Sequence, residues 1–275
     1  MPAVATMYCD LLLEAVNGSL HGPESFLAPI APKNRLYAGV NRVLSLRGAI
    51  AARIQTTPPS AYERGLGWPD SRLNRAESMI GRARLSQLRS AVETVIAEGV
   101  PGDLIETGVW RGGACILMKG ILTANGVVDR KVFLADSFEG LPPGGPEDDA
   151  GHLHLDATLA VDVDQVRSAF ERYGLLDDGV VFVKGWFSET LHALPPSQWA
   201  VIRLDGDMYS STMDAISALY PSLSPGGFLI IDDYGIYESC RNAIHDYRNA
   251  HNIGEPIVDI DGSGAFWRKA SSGAG

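Results

Sequence analysis

The chain has 275 residues, 45% hydrophobic and 20% charged, with 30 Gly, 16 Pro and a formal net charge of −10. This composition excludes a disordered chain, and the lack of any run of about 18 apolar residues excludes a membrane span. The acidic balance argues against a general nucleic-acid binder, which needs a basic surface. Residues 1–60 carry +2 and the remainder −12. Cys9, Cys115 and Cys240 are widely spaced and form no Cys-x-x-Cys pair. They read as free thiols in a reducing cytoplasm, and Asp10 and Glu14 interrupt what would be a signal peptide's apolar region.

Residues 17–70 are rich in Gly and Pro, with room for a short helix or two between Leu36 and Ile54. The expected division is an N-terminal arm and lid over 1–70, one domain over 71–270 and a flexible tail over 271–275. Asp70 or Ser71 can cap a helix reaching about Glu98, on the spacing of Met79, Ile80, Leu85, Leu88, Val92, Val95 and Ile96. Strands and helices then alternate. The strands are Asp103–Glu106, Lys131–Ala135, Gly179–Lys184, Trp199–Leu204 and Gly227–Ile231. The helices between and after them are Gly113–Ala124, Val163–Tyr173, Ser188–Ala193, Ser211–Leu223 and Glu238–His251. Pro256–Ile260 and Gly264–Arg268 read as a closing hairpin around Asp261-Gly262. The alternation predicts an α/β fold on a mostly parallel sheet, the plan of a Rossmann-like class I methyltransferase with a C-terminal antiparallel hairpin.

Glu106-Thr107-Gly108-Val109-Trp110-Arg111-Gly112-Gly113 follows the first of these strands and opens a helix. It lacks the second glycine of a dinucleotide fingerprint and the Lys-Ser/Thr of a P-loop. An acid at that strand end would repel a pyrophosphate, whereas it suits the amine and sulfonium of S-adenosylmethionine. Asp136, 30 residues on, ends the second strand, where a carboxylate can accept from ribose hydroxyls. Asp205 and Asp207 end the fourth strand, and Asp232 and Asp233 end the fifth. In a parallel sheet these acids open on one edge and repel one another unless a cation lies between them. Hard oxygen ligands without Cys or His favour Mg²⁺, or Mn²⁺, which would acidify a bound hydroxyl.

Taken with Ser78-Met79-Ile80-Gly81, Tyr173 to Asp178, Gly185-Trp186-Phe187 and Ser224 to Phe228, these segments resemble the macrocin O-methyltransferase family over roughly residues 72–268. The resemblance implies methyl transfer from S-adenosylmethionine to a sugar hydroxyl of a glycosylated small molecule in antibiotic biosynthesis. It implies Asp205, Asp232 and Asp233 as metal ligands, and Asp205 as general base with Asp207 as its rival. Glu106, Thr107 and Gly108 would hold the methionine end, with Arg111 of the same loop counted in the cofactor set. Asp136 would hold the ribose, Ser137, Phe138, Trp186 and Phe187 would surround adenosine, and Ser78 and Met79 would close over it. Family members are oligomeric, so a homo-oligomer is expected. Residues 17–70 and 142–160 depart from the family pattern; in the second, His152 and His154 are candidates for acceptor contact. His245 reads as structural. Two other readings stand beside this one. A methyltransferase of catechols or phenols usually has a lysine soon after the fourth-strand aspartate, where Met208 and Tyr209 stand here. A non-catalytic nucleotide-binding scaffold would leave the converging carboxylates without a reason.

Overall fold

Five apolar runs, each bounded by a glycine or an acid, form the parallel part of a seven-stranded sheet. The structure is a computed structural model, and it describes residues 3–21, 26–29, 52–55, 76–148, 154–156, 158–194 and 198–270. In chain order the elements are α1 (Ala3–Val16), β1 (Phe26–Pro29), β2 (Ala52–Gln55), α2 (Arg82–Ala97), β3 (Asp103–Thr107) and α3 (Gly113–Ala124). There follow β4 (Val132–Asp136), α4 (Val163–Arg172), β5 (Val180–Lys184), α5 (Phe187–Thr190) and β6 (Trp199–Leu204). The chain closes with α6 (Tyr209–Leu219), β7 (Leu223–Ile231), α7 (Glu238–His251), β8 (Val258–Asp259) and β9 (Ala265–Arg268).

The strand order is β5-β4-β3-β6-β7-β9-β8, parallel from β5 through β7 and antiparallel at β9 and β8. Successive strands step outward from β3 in one direction and then from β6 in the other. The switch between β3 and β6 leaves a crevice at the carboxyl edge, where α/β sheets bind ligands. Side chains alternate across the sheet as a pleat requires. Leu104, Val201 and Ile230 enter a core shared with α1 to α4, while Ile105, Ile202 and Leu229 enter one shared with α6 and α7. With both faces covered, the strands read as continuous apolar runs.

Two sequence expectations differ. The helix expected from residue 70 is seen from Arg82; residues 70–75 lie outside the described residues, and 76–81 are irregular. The backbone there is held by other partners: Glu77 N and Ser78 N both donate to Val16 O, at 2.9 and 3.0 Å, and Gly113 N donates to Glu77 O at 2.8 Å. Ser78 Oγ accepts from Ile80 N at 3.3 Å. This strap between the end of α1 and the glycine loop outweighs helical spacing at Met79 and Ile80. Second, α1, at the start of the segment expected as arm and lid, packs into the main core. Its Cys9, Leu12, Leu13 and Val16 are buried in the same core as α2 and α3. The helices expected between Leu36 and Ile54 lie almost wholly outside the described residues, and Ile54 itself is in strand β2, paired antiparallel with β1.

Candidate active site

The floor of the crevice is set where the ends of β3 and β6 come close together at Gly108. Its amide donates to Ala135 O at 2.9 Å, and Asp205 N donates to Thr107 O at 2.8 Å. Gly108 has φ +86, and a Cβ there would lie 1.6 Å from the Asp205 carbonyl oxygen. Only glycine lets the two strand ends approach this closely. Trp110 follows at φ +47, its indole N–H donating to Thr158 O at 3.0 Å. Asp136 ties the neighbouring strand end to this loop by accepting from Val109 N at 2.6 Å and from Phe138 N at 2.7 Å. Burial raises its pKa while these backbone bonds lower it.

A cleft of about 320 Å³ opens on this edge. That volume lies within the range of small-molecule sites. Of the expected cofactor residues, Met79, Gly108, Asp136, Ser137, Trp186 and Phe187 line it. Asp205 and Asp207 line its other part. The remaining expected residues sit behind the wall. Ser78, Thr107 and Phe138 are buried, and Phe138 packs 6.4 Å from Phe182. Arg111 stacks 4.5 Å over Trp110 and donates to Ala76 O at 3.2 Å. Glu106 is 2% exposed, with one carboxylate oxygen on Arg203 and the other accepting from Cys115 Sγ at 2.8 Å. His154 is exposed and away from the cleft wall, and His152 lies outside the described residues.

The sequence reading missed Trp110, Leu141, Pro142, Leu159 and the Ser210, Ser211, Asp214 face of α6 as cleft walls. The α6 residues were recoverable, since the first turn after a strand-end acid faces the same edge. Leu141, Pro142 and Leu159 come from an irregular loop with no periodicity to read. That loop docks on the site where Asp148 Oδ1 accepts from Tyr209 N at 2.6 Å, at the start of α6.

The acids converge as the strand ends require. Carboxylate oxygens of Asp205, Asp232 and Asp233 lie within 4.8 Å of one another. Asp207 takes φ +58, a left-handed position that costs energy for a non-glycine residue, and its side chain is hydrogen-bonded to Asp233. Burial pushes the Asp205 pKa up to about 6, reinforced by the charge of Asp232. Burial, with Asp205 and Asp232 adding repulsion, pushes Asp207 up to about 8. Asp233 is raised well above the carboxylate range, again by burial first and then by Asp207. Two buried cations compensate part of this charge. Arg203 pairs with Glu106, Asp205 and Asp232, and Arg84 pairs with Asp232 at 2.5 Å and Asp261 at 3.2 Å.

These residues fit a hard divalent cation. The donor set is all carboxylate, and Asp233, 5% exposed, has an oxygen with no hydrogen-bond partner. An orphaned buried acceptor beside two further carboxylates is costly unless a cation completes it.

A seven-stranded sheet with this order, a glycine-cornered crevice and an acid at the end of β4 define a class I methyltransferase. Comparisons with known proteins agree. The family model of macrocin-O-methyltransferase matches residues 5–269. An 8-demethyl-8-(2,3-dimethoxy-alpha-L-rhamnosyl)-tetracenomycin-C 4'-O-methyltransferase of Streptomyces olivaceus is 53% identical over 224 residues, 78% of this chain and 84% of that protein. A mycinamicin III 3''-O-methyltransferase of Micromonospora griseorubida is 49% identical over 203 residues, 71% of this chain and 80% of that one. The solved structure of the O-methyltransferase NovP superposes with a TM-score of 0.80 at 38% identity, covering 97% of this chain and 99% of that one. The chain belongs to the macrocin O-methyltransferase family and is an S-adenosylmethionine-dependent O-methyltransferase. Among the described residues, no helix is long and apolar enough to cross a membrane.

Proposed function

We propose that the protein methylates a sugar hydroxyl of a glycosylated natural product, with Mg²⁺ or Mn²⁺ held by Asp205, Asp232 and Asp233 and with Asp207 as general base. The observation that carries this reading is one cleft whose wall passes from Trp186, Phe187 and Asp136 to Asp205 and Asp207. The first three suit an adenosyl group, with the aromatics against the base and the carboxylate near the ribose. Gly108 presents backbone to the methionine end, while Glu106 and Thr107 support it from behind. The relatives' names describe O-methylation of a rhamnosyl-tetracenomycin and of mycinamicin III. Four carboxylates line the cleft, Asp136, Asp205, Asp207 and Asp214, and among the described lining residues there is no Lys, Arg or His. Such a wall favours a neutral acceptor over a phosphorylated one. The absence of a lysine after Asp205, where Met208 and Tyr209 stand, supports an alkyl hydroxyl over a phenol.

When bound, the divalent cation lowers the pKa of a coordinated hydroxyl. Asp205 carries a hydrogen bond from Arg203 at 2.6 Å, which weakens it as a base. Asp207 lines the cleft, and burial with the neighbouring carboxylates raises its proton affinity above that of an ordinary carboxylate, which strengthens it as a base. In the transfer, the acceptor oxygen forms a bond to the donor methyl as the methyl–sulfur bond breaks. The hydroxyl proton passes to the Asp207 carboxylate, and a neutral thioether leaves. Trp110, Leu141 and Pro142 give the cleft an apolar wall.

The reading has three further parts: a lid over the acceptor from the loop-rich residues 17–70, a homo-oligomeric assembly, and a cytoplasmic location. The last is supported by the buried free thiols of Cys9, Cys115 and Cys240. The test is a panel of glycosides, their aglycones and simple catechols incubated with S-adenosylmethionine, with and without EDTA. Mass spectrometry should show one added methylene on the sugar of a glycoside only, and EDTA should abolish it. Methylation confined to phenols, or full activity in EDTA, would overturn the acceptor or the metal assignment respectively.

A further inference from the structure

Arg203 is the largest charged side chain in the sheet interior. It is 1% exposed and lies on β6, a strand otherwise made of apolar residues, two positions before Asp205. A cation in that position needs a reason. Burying an unpaired guanidinium is prohibitively costly, and even a paired one gives little net stability over an apolar residue. Its contacts supply one. Nη1 donates to Glu106 on β3 and, at 2.6 Å, to Asp205 Oδ2 just past β6. Nη2 donates to Asp232 just past β7. One planar fork therefore spans three adjacent strand ends.

We propose that Arg203 is a positioning residue of the metal site: its guanidinium fixes the Asp205 and Asp232 carboxylates in their ligating arrangement, and Glu106 anchors it from behind. This rests on the metal reading above and deepens it. Arg84 holds the second oxygen of Asp232 at 2.5 Å, so that carboxylate is gripped from two sides. Asp205 is gripped by Arg203 through one oxygen, while Asp233 keeps an unpartnered oxygen. Asp232 and Asp205 are thus oriented by fixed donors before any ion arrives. Glu106, singled out in the sequence as a contact to the methionine end, acts here through Arg203, because both its oxygens are taken. The arrangement links β3 to the metal ligands through one side chain.

The fork matters as well as the charge. Lysine would carry the same charge as a compact ammonium on a flexible stem and cannot present two parallel N–H groups to separate carboxylates. Arg203→Lys should therefore fail to rescue. The experiment measures Mn²⁺ binding by electron paramagnetic resonance on the full chain without acceptor, and S-adenosylhomocysteine binding by calorimetry in EDTA. Supporting residues behind metal ligands typically contribute about 10–100-fold in metal affinity, and that is the loss expected for Arg203→Lys. S-adenosylhomocysteine affinity in EDTA should stay within about threefold, since of the three partners of Arg203 only Asp205 lines the cleft, on its metal side. If Arg203→Lys loses its near-ultraviolet circular dichroism, Glu106→Gln decides, because it keeps Arg203 and removes only the anchoring charge. It should weaken Mn²⁺ by about tenfold or more. Mn²⁺ affinity unchanged or tightened in the folded variant would overturn the proposal. A wild-type protein that binds no Mn²⁺ would instead overturn the metal reading, and this inference with it.

Discussion

Gly108→Ala tests the geometry on which the crevice depends. Two costs follow from the structure. Residue 108 has φ +86, and holding an alanine in left-handed backbone costs about 1–2 kcal/mol. The new Cβ would also lie 1.6 Å from Asp205 O and 2.7 Å from its carbonyl carbon. Ordinary carbon–oxygen contact is near 3.3 Å, so the strand ends must part by about 1.7 Å. Overpacking of this kind costs about 1–3 kcal/mol, giving roughly 2–5 kcal/mol in all. For a chain of this size that lowers Tm by roughly 5–15 °C. The displacement falls on Asp205, so turnover should drop by about 100-fold or more even in the folded fraction. Gly126→Ala is the control: φ is +68, but nothing lies within 4 Å of the added carbon. It should carry the backbone cost alone, about 1–2 kcal/mol, and leave activity intact. Thermal unfolding, calorimetry with S-adenosylhomocysteine and turnover of both variants make the comparison. If Gly108→Ala unfolds no earlier than Gly126→Ala and keeps turnover, close approach of β3 and β6 does not shape the site.

Three other outcomes are expected. Asp207→Asn should lower kcat by about 100- to 10,000-fold while leaving S-adenosylhomocysteine affinity unchanged; normal turnover would remove Asp207 as the base. Glu106, Asp205 and Asp207 are held up near 7, 6 and 8, by burial first in each case. Carboxyls raised above their unfolded value of about 4 contribute stability that is full below that pH and lost as pH rises through the folded values. Metal-free protein should therefore have a lower Tm at about pH 8.5 than at about pH 5.5, and Mg²⁺ should restore more at the higher pH. A Tm that rises over that window without metal would contradict the assigned shifts. Leu12→Ala should destabilise the whole domain by about 2–5 kcal/mol in a single denaturant transition, because Leu12 of α1 is 4% exposed within the main core. A separate early transition for α1 would mean that it is an appendage.

The βα alternation from Asp103 onward was legible because each strand is a short apolar run and each helix has its own stop. Trp199–Leu204 and Glu238–His251 fall on the expected residues. The acids at 136, 205, 207, 232 and 233 were legible for the same reason: a strand end in a parallel sheet can face only one edge. Long-range backbone pairing was not legible. The Val16 carbonyl strapping Glu77 and Ser78 displaced the start of α2, and no local pattern announces such a partner.

Sequence alone therefore determined the fold class, the sheet edge on which the acids open and the identity of those acids, since these depend on local periodicity and on which residue ends each strand. Tertiary structure decided how those acids are used. Glu106 and Asp205 lie 99 positions apart in the sequence, yet both meet the Arg203 guanidinium, and only the lateral order of β3, β6 and β7 brings them there. Part of the charge that reads in the sequence as excess acidity is, in the fold, an interior network balanced in part by two arginines, because a buried carboxylate must find a cation or keep its proton.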